Sequence, residues 1–213
     1  MKRTLAAVAA FGIAFGLVEA AVVVYLRLNF YPEGFSFPLA EVPYHIGLTE
    51  VAREIATIIM LVSVGWLAGR RFLERFAYFA FAFAVWDIFY YVFLKVVLDW
   101  PASIITNDVL FLIPLPWVGP VLAPVIVSVC LICASVIVLR REETDRPVTL
   151  RAMQWITMVL GGILVIGSFL MDTRASLQQQ MPGTFNWLLF AAGLCVGIAG
   201  FAWALRASSK LTA

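Results

Sequence analysis

Glu50, Arg53 and Glu54 lie within one turn in the run Thr49-Glu50-Val51-Ala52-Arg53-Glu54. A helix over these residues places all three on one face. Two more carboxylates, Glu19 and Asp87, stand inside long apolar runs, and Asp87, Tyr91 and Lys95 repeat every fourth residue. In a spanning helix, a central Asp costs about 2.5–3.5 kcal/mol on insertion scales, so such a group turns toward the bundle interior and takes a partner. The residues expected to share a ligand-binding pocket are Glu19, Glu50, Arg53, Glu54, Asp87, Tyr91 and Lys95, with Arg27, His45, Asp99 and Asp108 near its mouth.

Three chemistries suit this set. Glu19, Glu54 and Asp87 could together hold a hard divalent cation through oxygen ligands. The same carboxylates could pass protons or cations, as they do in pumps and transporters. Arg53, Lys95 and Arg27 could instead receive an anionic lipid head group or a small polar ligand. Plainer roles compete with each: Thr49 and Glu50 as a helix N-cap, Arg53 and Lys95 as side chains that snorkel to the interface, His45 as a surface loop residue, and the remaining charges as ion pairs that only hold helices together.

Other chemistry finds little support. The one His lies in a predicted loop and cannot supply paired haem ligands. A Glu-x-x-x-Glu spacing without Glu-x-x-His differs from a carboxylate-bridged di-metal bundle. Cys130-x-x-Cys133 falls mid-run and reads as small core residues before it reads as a redox or metal pair. No Ser/His/Asp arrangement or Gly-rich phosphate loop is visible, and the pattern assigns no reaction.

The elements that must position these groups follow from composition. Of the 213 residues, 63% are hydrophobic and 13% charged, against roughly 45–50% and about 25% in soluble domains. A soluble body this size cannot bury so much apolar surface. Lipid must be the solvent. Basic residues are scattered in short turns, which excludes a nucleic-acid surface, and Cys130, Cys133 and Cys195 in apolar runs exclude a disulfide framework.

About 20 apolar residues cross a bilayer core. Six such stretches occur, at about 4–26, 50–68, 76–98, 119–139, 152–171 and 185–205. The expected fold is an all-α, polytopic membrane bundle forming one integral membrane domain over 1–213. Lys2-Arg3 before the first run and Val18-Glu19-Ala20 within it resemble a cleaved signal peptide, but the apolar run continues to about Leu26, so a retained first span is expected. Residues 101–118 are apolar yet carry Pro101, Pro114 and Pro116. Proline interrupts helices, so this segment is expected to be a helical hairpin lying on the surface or re-entering the membrane, covered by protein or a wet cavity.

Charge orients the chain. Lys2, Arg3, Arg70, Arg71, Arg75, Arg140, Arg141, Arg146, Arg151, Arg206 and Lys210 share one side, and only Arg27, Arg53, Lys95 and Arg174 lie toward the other. The positive-inside rule then places both termini in the cytoplasm, in what reads as a prokaryotic plasma membrane. Gly12-x-x-x-Gly16 and Gly193-x-x-x-Gly197 suggest close helix contacts. No internal repeat of the transporter kind is seen. The sequence therefore predicts an outward-facing charged site for a small polar ligand, cation or lipid head group. The competing class is an accessory subunit of a larger membrane complex, of electron-transfer or photosynthetic type, with the aromatic third span packed on its partner.

Overall fold

The computed structural model describes residues 1–144 and 147–209. Arg146 and Lys210, assigned above to the cytoplasmic side, lie outside the described residues. Six helices are long and apolar enough to cross a membrane: α1 (Lys2–Phe30), α2 (Tyr44–Ala68), α3 (Phe72–Leu98), α4 (Leu122–Glu143), α5 (Ala152–Leu170), which runs on through the short α6 (Thr173–Leu177), and α7 (Trp187–Ser209). The chain is a helical, multi-pass membrane protein.

The first three helices begin earlier than the apolar runs suggest, α5 begins where expected, and α4 and α7 begin two or three residues later. α2 starts at Tyr44, so Thr49 and Glu50 lie inside it and do not cap it, and the Thr49 hydroxyl donates to the His45 carbonyl one turn back at 2.8 Å. His45 belongs to the exposed first turn of α2 rather than to a loop. α1 continues to Phe30, which keeps Arg27 helical.

The proline-rich segment is not a helical hairpin. It forms two short antiparallel strands, β1 (Asn107–Phe111) and β2 (Trp117–Pro120), paired Asn107 to Pro120, Asp108 to Gly119 and Val109 to Val118. Pro114 and Pro116 fall in the connection, where their missing donors cost nothing to the ladder. Pairing lets the strands satisfy each other's backbone groups where a broken helix would leave them open. Leu122 then closes the hairpin onto the bundle by donating its amide to the Ile104 carbonyl at 2.8 Å.

The main core lies among α1, α2, α3 and α4, around Val8, Leu61, Phe81, Val85, Trp86 and Val138. Gly16 lets α1 touch α3, since a Cβ there would sit 3.0 Å from both the Trp86 carbonyl and the Tyr90 amide. α5 and α7 cross more closely still. A Cβ on Gly161 would meet the Gly197 amide nitrogen at 2.5 Å and the Gly193 carbonyl at 2.8 Å, so the expected small-residue contact is real and its partner is α5. Phe169 and Phe190 tie this pair to the hairpin, Phe169 stacking on Trp117 at 6.2 Å.

The two ends of the bundle differ. At one, the amino terminus lies 3.5 Å from Glu143 and Arg141 reaches the Leu205 carbonyl at 3.2 Å. The other carries the 31–43 connection, the hairpin and α6.

Gly161 and Gly162 provide a matched pair. Gly161→Ala pushes a methyl into backbone and should lose about 1–3 kcal/mol. Gly162→Ala meets nothing within 4 Å and should hold or gain stability through helix propensity. Thermal unfolding in detergent reads the difference; equal melting temperatures would contradict the crossing.

Candidate functional site

Four residues of α2, Glu50, Arg53, Glu54 and Thr57, follow one another at three- and four-residue steps and so form one polar stripe. Arg53 is its centre. Its Nε donates to Glu50 Oε2 at 2.8 Å, and its Nη1 donates across to Glu19 of α1 in a short contact. Thr57 adds a long hydrogen bond of 3.5 Å to the other Glu19 oxygen. One guanidinium thus joins two carboxylates on two helices, through separate donors of its planar fork.

Glu54, one residue on, leans the other way. Both of its oxygens accept the backbone amide of Leu112, at 3.1 and 2.9 Å. The connection of the β-hairpin is therefore held by a carboxylate of α2. Glu54 stays within the electrostatic field of Arg53, Glu19 and Glu50, but touches no cation among the described residues.

Asp87 of α3 accepts a hydrogen bond from the Ser128 hydroxyl of α4 at 2.8 Å, and both are buried. Asp87 contacts no cation either. Glu19, Glu54 and Asp87 thus take separate partners rather than a shared ion, and among the described residues no three His, Cys, Asp or Glu side chains are placed to hold a metal ion. In this arrangement the partners of the three carboxylates are Arg53 and Thr57 for Glu19, the Leu112 amide for Glu54 and the Ser128 hydroxyl for Asp87.

A second ion pair lies beside them. Arg27 Nη2 donates to Asp108 Oδ1 of β1 at 3.0 Å, with the two side chains only 7% and 2% exposed. The guanidinium sits in the corner of two perpendicular rings, 4.3 Å from the Phe35 centroid and 3.7 Å from that of Trp100, so cation–π attraction adds to the pair. Arg27 and Asp108 are therefore buried members of the site, not groups at its mouth. Burial pushes the Asp108 carboxyl from its ordinary 3.8 up to about 6, against the opposing pull of Arg27 and the nearby Tyr91 hydroxyl. Tyr91 stands between Asp87 and Asp108, and its neighbour Tyr90 lies within the fields of Glu19, Arg53, Arg27 and Asp108. The Tyr91 hydroxyl donates to Asp108.

Lys95 does not join them. At about 100° per residue, eight residues rotate it some 80° from Asp87, and its ammonium is exposed, 2.7 Å from Asp99 Oδ1 and bonded to the Asp99 and Pro101 carbonyls. That contact holds the exposed Asp99 carboxyl below its usual range. Cys130, Cys133 and Cys195 are free thiols away from the cluster.

Thr57, Ser128 and the Leu112 amide complete the site, and none was anticipated. Thr57 was the most accessible of them to sequence reasoning, at three residues from Glu54. Ser128 is a lone hydroxyl in an apolar run, and a backbone amide carries no signal of its own.

No protein-family model, curated protein or solved structure matches the chain. The chemistry must be read from the geometry, and the charge balance is its clearest feature. Five carboxyls, Glu19, Glu50, Glu54, Asp87 and Asp108, face two guanidiniums, Arg27 and Arg53.

Two tests follow from these contacts. Arg53→Gln leaves Glu19 and Glu50 without their cation and should lose up to about 3–5 kcal/mol, whereas Lys95→Ala should change stability by no more than about 1 kcal/mol; denaturation in mild detergent measures both. Folded Asp108 binds its proton more tightly than the unfolded chain does, so it favours the fold at low pH and that contribution is lost as pH rises from 3.8 to about 6. Melting temperatures across this window should fall less steeply in Asp108→Asn than in the parent, and parallel profiles would contradict the assignment.

Proposed function

We propose that this membrane protein binds and exchanges protons at a cluster of buried carboxyls, with Glu54 and Asp87 as the exchanging groups and Arg53 and Arg27 as fixed counter-charges. The carrying observation is that Glu54 and Asp87 are buried yet touch only neutral donors, an amide and a hydroxyl. Glu19, Glu50 and Asp108 already have their guanidiniums.

The excess of carboxyls favours a cation over an anion or a phosphate head group, and the outward-turned Lys95 removes one expected anion contact. Among cations, a proton needs neither a cavity nor several oxygens at once. Tyr90 and Tyr91, next to both centres, supply hydroxyls that can pass it along. The excess of basic residues at the opposite end supports a site facing the non-cytoplasmic side.

A purely structural role has one specific point in its favour: the Glu19–Arg53 contact ties α1 to α2. Infrared difference spectra of the purified chain between low and high pH separate the readings. Exchange predicts a protonated-carboxyl band in the parent that disappears as pH rises and is lost from Asp87→Asn and Glu54→Gln folded to the same degree. A parent spectrum with no such pH-dependent band would leave only the structural role.

A further inference from the structure

At the end that carries the amino terminus, a groove separates the turn between α2 and α3 from the segment leading into α5. One part is a cavity of about 390 Å³ lined by Arg70, Arg71, Glu74, Glu142 and Pro147. A second, of about 360 Å³, shares Arg71, Glu142 and Pro147 and is otherwise mostly apolar, with Phe72, Leu150 and Trp155 among its walls. The groove is charged at one end and greasy at the other. Phe72 and Phe76 both pack on Trp155 at 6.1 Å, which extends the apolar surface along α3 into its candidate span.

Among the described residues the charged part is balanced rather than basic. Two guanidiniums face two carboxylates. Glu74 is already engaged, its Oε2 accepting the Arg70 and Arg71 amides at 2.7 and 3.1 Å. Arg71 holds Glu142 loosely at 3.4 Å. The Arg70 guanidinium is exposed and has no side-chain partner among the described residues. An entering phosphate would meet the free Arg70 and the loosely held Arg71, the side chains best shaped for it. The same movement would release Glu142 to accept from a cation.

We propose that this groove binds one zwitterionic phospholipid with a primary-ammonium head, its phosphate on Arg70 and Arg71, its ammonium on Glu142, and an acyl chain against Phe72 and Trp155. The balance of charge selects the head group. An anionic head without an ammonium leaves Glu142 with no cation once Arg71 turns to the phosphate. A quaternary ammonium has no N–H to donate to the carboxylate.

Native mass spectrometry of the full chain, released from micelles doped with one lipid at a time, tests this. Phosphatidylethanolamine should be retained as a single copy about tenfold more strongly than phosphatidylcholine of the same chains, the effect of one charge-assisted hydrogen bond. Glu142→Gln should abolish that preference, and Arg70→Gln, which removes no side-chain contact among the described residues, should weaken retention of both lipids. Equal retention of the two lipids, stronger retention of phosphatidylglycerol, or a preference that survives Glu142→Gln would each overturn the proposal.

Discussion

Arg53 is the group on which the polar interior depends. A carboxylate inside apolar helices is unfavourable unless a partner replaces its water, and Arg53 replaces it for Glu19 and Glu50 at once. Its position on α2 sets which residues flank it. Glu54 and Thr57 share the stripe because α2 already runs helical from Tyr44, and they reach the hairpin and α1 in turn. Remove the guanidinium and two carboxylates face each other between helices. Its presence also divides the acids into those that are neutralised in place and those, Glu54 and Asp87, that are left with neutral donors.

The β-hairpin carries this division into the rest of the molecule. It brings Asp108 to Arg27 and the Leu112 amide to Glu54, and Phe111 and Trp117 meet ring to ring at 5.5 Å across it. Through Trp117 and Phe169 it also receives the α5–α7 pair. Loop, hairpin and helices are thus tied by contacts that are either charged or aromatic, and the aromatic box around Arg27 combines both.

Length and hydropathy made the six helices legible, since about 20 apolar residues in a run have few other uses. The same residues hid the ends: α2 extends back to Tyr44 through an exposed first turn, where the Thr49 hydroxyl bonds the His45 carbonyl, and apolarity alone could not mark that start. Prolines showed correctly that 101–118 is no ordinary span, but could not tell strands from a broken helix, because pairing depends on residues facing each other across the turn. Glu19, Arg53, Glu54, Asp87 and Tyr91 were legible as charges or hydroxyls out of place. Their partners were less so. Four-residue spacing drew Lys95 into the set, although the helix turns it away, and Arg27 looked like an interfacial residue until Phe35 and Trp100 enclosed it.

Arg53 neutralises Glu19, and among the described residues Asp87 has no cation. Paired double-mutant cycles of stability measure this difference directly, one on Glu19→Gln with Arg53→Gln and one on Asp87→Asn with Arg53→Gln. The first should show a coupling of about 1–3 kcal/mol and the second should be additive within about 0.5 kcal/mol. Additivity at Glu19, or equal coupling at Asp87, would contradict the account.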